Sequence, residues 1–270
     1  MVEVSRRFVE DKSDAKENLS VGGYRDDAGR IHLMDVVRKA EEAIVKDKGH
    51  NHAYLPALGH PETNAAALSL LLGADSSAIA EGRAFAAQSI GGTGPLRAGA
   101  ELLRRRLGFT RAVYSDPTWI NHRDIFEMAG FDRVEPYTYY DRQKQEFTLN
   151  GMLSSLSKLP PRSVVILHPA AHNPTGVDPT KEEWATIADA MQQGELFPFF
   201  DCAYQGFATG DLDEDVWVVR YFERRGFEFF VSQSFGKNMG LYGERIGFLS
   251  GVLADKDLVP NLTSQACVKA

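Results

Sequence analysis

At 270 residues, 43% hydrophobic and 25% charged, the sequence has an ordinary globular composition and enough length to bury a substantial core. A net charge of −7 argues against a polyanionic partner such as nucleic acid, and no apolar run approaches the ~20 residues that span a membrane. Two cysteines, Cys202 and Cys267, cannot build a disulfide framework, which points to a reducing compartment.

Met1 to Lys12 is charged and lacks the apolar run of a secretory signal, while Glu3, Glu10 and Asp11 fit a mitochondrial presequence poorly. A cytoplasmic protein is expected, with the mitochondrial matrix as the alternative. A Gly-rich turn follows at Val21-Gly22-Gly23-Tyr24, then a helix near Met34–Lys46 and a polar loop around Gly49–Pro61. The Ala/Leu-rich stretch Thr63–Leu72 reads as another helix. From about residue 84, short apolar runs alternate with amphipathic segments. Strands are expected at Ala84–Ile90, Ala112–Ser115, Arg133–Thr138, Ser163–His168, Leu196–Asp201, Glu228–Ser232 and Ile246–Ser250. Helices are expected at Pro95–Leu107, Asn121–Met128, Lys181–Gln192 and Glu214–Arg225, the last placing Val218, Tyr221 and Phe222 on one face. The basic run Arg104–Arg106 fits a solvated helix face. Gly108, Gly130 and Gly194 mark helix ends. This alternation predicts an α/β domain with a largely parallel sheet. Leu262–Ala270 reads as a helix without a stop signal.

Ligand sites in such sheets lie at the carboxyl ends of strands, and four motifs fall there. Ile90-Gly91-Gly92-Thr93-Gly94-Pro95 is either a tight strand-to-helix turn or a phosphate cradle, because glycines admit close approach and a helix start attracts anions. His168-Pro169-Ala170-Ala171-His172-Asn173-Pro174 holds two histidines, but no cysteine or carboxylate cluster beside them supports a metal. Asn173, held out of helical geometry by Pro174, has an amide free to donate. The apolar strand ending in Asp201 needs a partner for its charge: a structural ion pair, a helix cap, or a cation such as a protonated pyridine nitrogen. The strongest motif is Ser232 to Arg245. Lys237 lies there just past a strand among glycines, where desolvation favours a neutral amine able to attack an aldehyde. Ser234 and Arg245 supply a hydroxyl and a forked cation suited to a phosphate monoester.

With these motifs the sequence resembles the class I, fold type I, pyridoxal-phosphate-dependent aminotransferases of the aspartate type. The resemblance runs from about Phe8 to the last residue. It is carried by Asn18–Asp26, Tyr54-Leu55-Pro56, Gly91 to Gly94, Pro117-Thr118-Trp119, His172–Pro179, Asp201–Ala208 and Ser232–Gly247. It implies a fold type I large domain over 51–270, with a mixed, mostly parallel sheet flanked by helices. Residues 1–50 would form an N-terminal arm and the first piece of a small domain.

The resemblance also implies roles. Lys237 would bind pyridoxal 5′-phosphate covalently and later carry the proton, Asp201 would pair with the ring nitrogen, and Tyr204 and Asn173 would contact the phenolic oxygen. Trp119 would stack on the ring, Gly92, Thr93, Ser234 and Arg245 would hold the phosphate, and Tyr54 would reach the phosphate of a neighbouring subunit in a homodimer. His122 and His168 would stand behind the ring, His122 supporting Asp201. Gly22, Trp119 and Asn173 would face substrate, and no metal is implied. The substrates would be amino acids and 2-oxo acids: L-aspartate with 2-oxoglutarate, giving oxaloacetate and L-glutamate. Alternatives are an aromatic-preferring enzyme of the same subgroup, or a non-catalytic cofactor-binding or dimer-interaction protein.

The sequence departs from the family in two places. Gly91 replaces the usual serine of the phosphate turn. In the family, Ser264-Gln265 opens a helix leading to an arginine that binds the side-chain carboxylate of substrate, and the present sequence stops before it. The 270-residue chain is therefore expected to hold the cofactor and to transaminate dicarboxylic substrates poorly.

Overall fold

A computed structural model describes residues 2–16, 18 and 22–267 of the chain, which divides into two compact units, Met1–His50 and Asn51–Ala270. In the first unit, α1 (Val2–Glu10) is a short amphipathic helix with Val4 and Phe8 at i, i+4 spacing. Its ladder of ion pairs, Arg6 with Glu3 and Glu10 and Arg7 with Glu3, adds a few tenths of a kcal/mol each. Asp26 organises a turn by accepting from the amides of Ala28 and Arg30, and α2 spans Asp35–Lys46. Of the expected Gly-rich turn, Val21 lies outside the described residues.

The second unit begins with α3 (Pro61–Leu72) and α4 (Ser77–Ala80), and then alternates. In chain order come β1 (Ala84–Ile90), α5 (Thr93–Arg105), β2 (Arg111–Asp116), α6 (Asn121–Met128) and β3 (Arg133–Thr138). A short hairpin of β4 (Tyr140–Asp141) and β5 (Glu146–Phe147) leads to α7 (Leu149–Leu156). Next are β6 (Val164–Leu167), α8 (Lys181–Gln193), β7 (Phe197–Cys202), α9 (Leu212–Asp215) and α10 (Trp217–Arg224). The series closes with β8 (Phe229–Ser234), β9 (Ile246–Val252) and α11 (Val259–Cys267).

Seven strands form one sheet in the order β1-β9-β8-β7-β6-β2-β3. Pairing is parallel from β8 through β3, while β9 runs antiparallel to both β8 and β1. Six strands therefore share a direction. Their carboxyl ends, together with the start of β9, lie along one edge. Side chains alternate with the period of two that strands impose. Phe200 and Phe229 pack on one face with Trp184, Ile187 and Phe222, and Phe199 and Phe230 on the other with Leu96, Leu103 and Phe126. Both faces are covered, so β6 is apolar throughout and β7 and β8 are apolar until their carboxyl ends. At Gly99, α5 lies so close to β7 that a Cβ would strike the Phe199 ring.

One expectation about helices is corrected. The segment expected as one helix over Glu214–Arg225 is broken at Val216, because the Asp215 carboxylate turns back to accept from the amides of Gly206, Ala208 and Thr209. Gly194 ends α8 as expected, at φ of −83°, and the left-handed residue after it is Glu195, with φ of 50°. The last expected helix runs Val259–Cys267, and residues 268–270 fall outside the described part.

Candidate active site

The sheet edge gathers the motifs because the loops leave it from neighbouring strands. β1 delivers Gly91 and Gly92, β2 delivers Trp119, β6 delivers His168 to Asn173, β7 delivers Asp201 and Tyr204, and β8 delivers Ser234 and Lys237. Arg245 precedes β9.

Asp201, 7% exposed near the end of β7, accepts from His122 Nε2 at 3.0 Å. The other ring nitrogen of His122 meets Thr118 Oγ1 at 2.7 Å, so a neutral ring donating from Nε2 satisfies both partners. Trp119 meets the His122 ring edge-on at 5.4 Å. His168 stands behind, 5.3 Å from the His122 ring and 4.4 Å from that of His172, with both ring nitrogens buried and unpartnered within the protein. Burial, then the neighbouring histidines, pushes its pKa well below the usual imidazole value, which keeps it neutral. His122, His168 and Asp201 bring one potential donor atom each within 4.8 Å of one another, but His122 and Asp201 spend theirs on each other.

Lys237 lies on the turn joining the antiparallel neighbours β8 and β9, partly buried, with Nζ 5.8 Å from the centre of the Tyr204 ring. Burial lowers its pKa, the Arg245 charge lowers it further, and Asp201 opposes both. Tyr204 is held protonated by burial and by the charge of Asp201, so its hydroxyl can donate. Asn173 Nδ2 lies 3.5 Å from that hydroxyl.

At the other end of the cluster, the turn before α5 closes against β8 and β9. Gly92 accepts from Ser232 Oγ at 2.8 Å, and a Cβ on Gly92 would stand 3.3 Å from Ser234 Cβ. Gly91 takes φ of 58° and donates its amide to the Arg245 carbonyl at 2.9 Å. The Arg245 guanidinium fills the space where a side chain at 91 would project. Gly92, Thr93, Ser234 and Arg245 thus form a cationic cradle at the start of a helix, where the first amides lack intrahelical partners.

Most of the residues singled out in the sequence converge here. Tyr54 does not share their burial; it is fully exposed on the segment before α3. Gly22 belongs to the Met1–His50 unit. Sequence reasoning gave no role to Ser115, Thr118 or Thr175, and weighed His172 only as a metal ligand. Ser115 carries no local signal, since His172 lies 57 positions away, whereas Thr118 and Thr175 stand four and three positions from their histidine partners.

A doubly covered, mostly parallel α/β sheet with a partly desolvated lysine, a buried carboxylate and an anion cradle on one edge defines a cofactor-binding domain of the aldehyde-capturing kind. Residues 14–269 match the family described as aminotransferase class I and II, and the chain belongs to it. Pyridoxal phosphate is the cofactor of that family.

The chain is 51% identical over 263 residues to the cytoplasmic aspartate aminotransferase of Gallus gallus, covering 96% of this chain and 64% of that protein. It is 44% identical to the mitochondrial aspartate aminotransferase of Xenopus tropicalis, covering 97% and 61%. Among solved structures, an aromatic-amino-acid aminotransferase from Burkholderia pseudomallei, covalently bound to pyridoxal phosphate, superposes with a TM-score of 0.94 at 41% identity. That likeness covers 99% of this chain and 66% of the other. The chain thus spans about two thirds of the length of its relatives.

Proposed function

We propose that this chain is the cofactor-binding part of an aspartate-type aminotransferase, which passes the amino group of L-aspartate to 2-oxoglutarate and releases oxaloacetate and L-glutamate. One observation carries the reading: a partly desolvated lysine amine stands between a buried carboxylate and a guanidinium cradle on a single sheet edge. That donor set suits pyridoxal phosphate from end to end. The amides before α5, Thr93, Ser234 and Arg245 would take the phosphate dianion, with Arg245 as a forked partner. Asp201, oriented by His122, would hold a protonated ring nitrogen, and Tyr204 and Asn173 would donate to the phenolic oxygen. Trp119 would cover a ring face.

When bound, the cofactor supplies an aldehyde for the amino group and a ring that accepts the electron pair left as a substrate Cα–H bond breaks. The protein does the rest. Lys237, with its lowered pKa, would be nucleophilic toward the aldehyde and would serve as the base that moves a proton between substrate Cα and the cofactor's C4′. The Asp201 carboxylate keeps the ring nitrogen protonated, and the His122–Thr118 pair keeps that carboxylate in place.

Residues 51–270 would be the large domain, and 1–50 an arm with part of a small domain. Two copies would share sites, Tyr54 reaching across to a partner's phosphate. Among the described residues no helix is long and apolar enough to cross a membrane, and a cytoplasmic location is proposed, in keeping with the name of the Gallus gallus relative.

The test is borohydride reduction of the chain with pyridoxal phosphate, followed by peptide mapping, and then a half-reaction with L-aspartate read from the visible absorbance. Label on Lys237 and only slow bleaching by L-aspartate are expected; a folded chain left unlabelled there would end the reading. The likeness to the Burkholderia pseudomallei structure favours a second reading, preference for aromatic amino acids, which faster bleaching by L-phenylalanine than by L-aspartate would select.

A further inference from the structure

We propose that His172 is a positioning residue, which holds the Asn173 amide in place for the cofactor's phenolic oxygen through a buried chain of hydrogen bonds anchored on the sheet. The inference rests on the reading of the site given above.

His172 is 1% exposed, and its ring stacks on Tyr139 with centroids 3.9 Å apart and planes 14° from parallel. Nδ1 lies 2.8 Å from Thr175 Oγ1, and Nε2 lies 2.8 Å from Ser115 Oγ. A neutral imidazole has one donor and one acceptor, so the neighbours decide the direction. Thr175 Oγ1 accepts from the Val177 amide at 3.2 Å and keeps its own hydrogen to give to Nδ1. In that tautomer Nε2–H donates to Ser115 Oγ. Ser115 belongs to β2, so the chain of bonds from His172 ends on the sheet, where the neighbouring Tyr137 hydroxyl donates to the Ile166 carbonyl of β6 at 2.9 Å.

Burial pushes the His172 pKa down to about 3, so the order of donors persists at any pH the protein would meet near neutrality. With both nitrogens engaged and no proton to exchange, His172 is unsuited to acid–base work. What it does is tie the loop after β6 back to the sheet. The flanks are tied as well: Asp178 accepts from the amides of Ala171 and His172 at 2.6 and 2.9 Å, and the Tyr139 hydroxyl donates to Val177 at 2.7 Å. Asn173 follows His172 directly, and its side chain meets Tyr204 at 3.5 Å. Little freedom is left to the amide that would face the phenolic oxygen.

The readout is the pH midpoint of the visible absorbance of the chain loaded with pyridoxal phosphate. Donors to the phenolic oxygen favour the deprotonated form and lower that midpoint. His172→Phe keeps the ring stack and removes both hydrogen bonds, and should raise the midpoint by roughly half to one pH unit. Asn173→Ala should raise it at least as far, and His172→Phe combined with Asn173→Ala no further than Asn173→Ala alone. An unmoved midpoint in His172→Phe, with or without a lower unfolding temperature, overturns the proposal, and so do additive shifts. If His172→Phe does not fold, Ser115→Ala and Thr175→Val remove the bonds singly, and each must move the midpoint upward. Absence of any Lys237-dependent band in the unaltered chain is a separate result, which sinks both the proposed function and this inference.

Discussion

Replacing Lys237 by methionine should stabilise the chain at neutral pH, and the gain should fade as the medium becomes alkaline. The Lys237 pKa is depressed from its ordinary value of 10.5, first by burial and then by Arg245, with Asp201 opposing. An unfolded lysine keeps the ordinary value, so between the two pKa values the unfolded chain binds more protons than the folded one. Stability of the unaltered chain therefore rises with pH across that window. Below the folded pKa the full cost of a charged, partly buried amine is present; above about pH 10.4 the amine is neutral in both states and the cost is gone. Each unit of depression corresponds to ~1.4 kcal/mol, which sets the scale for the gain expected of Lys237→Met at pH 7. Urea unfolding followed by tryptophan fluorescence measures it, because Trp184 is buried in the core. Methionine also changes packing, but equally at every pH, so the pH-dependent part isolates the charge. A stability difference that stays flat from neutral to alkaline pH would refute the reasoning, as would a reactivity midpoint for Lys237 at or above its ordinary value.

Three further predictions concern contacts made across the fold. Asp201→Asn removes the charge opposite the proposed ring nitrogen, and affinity for pyridoxal phosphate should fall ~10- to 100-fold by fluorescence titration, in line with ~1.5–3 kcal/mol for a hydrogen bond to a charged group. Gly91→Ala places a Cβ where the Arg245 guanidinium lies and strains a residue at φ of 58°. Binding of pyridoxal phosphate should weaken several-fold in equilibrium dialysis while that of pyridoxal, which lacks the phosphate, stays the same. Asp215→Ala strips the amides of Gly206, Ala208 and Thr209 of their acceptor and should cost on the order of 3 kcal/mol in urea unfolding, with loosening of the Tyr204 loop visible in hydrogen exchange.

By itself the sequence determined the chemistry wherever signals were local. A strand running into glycines and then a helix start, or an apolar strand ending in Asp201, is legible because the relevant neighbours are a few residues away. Hence the alternation of strands and helices could be read without coordinates, and Lys237, Asp201, Ser234 and Arg245 could be singled out as candidates. Weak local patterns were lost: α7, with Gly151 and several serines, is held by the Thr148 cap and by burial of Met152 and Leu156, and the nine-residue α1 is laced by charge pairs.

Tertiary structure alone decided how the strands are ordered, that β9 runs against its neighbours, and which distant groups meet. His172 finds Ser115 across 57 positions, and His122 finds Asp201 across 79. A hydroxyl or imidazole carries no mark in sequence of a partner so far away, because that pairing exists only once the sheet has registered its strands. The same holds at Gly91, whose missing side chain acquires meaning only when the Arg245 guanidinium is folded against it.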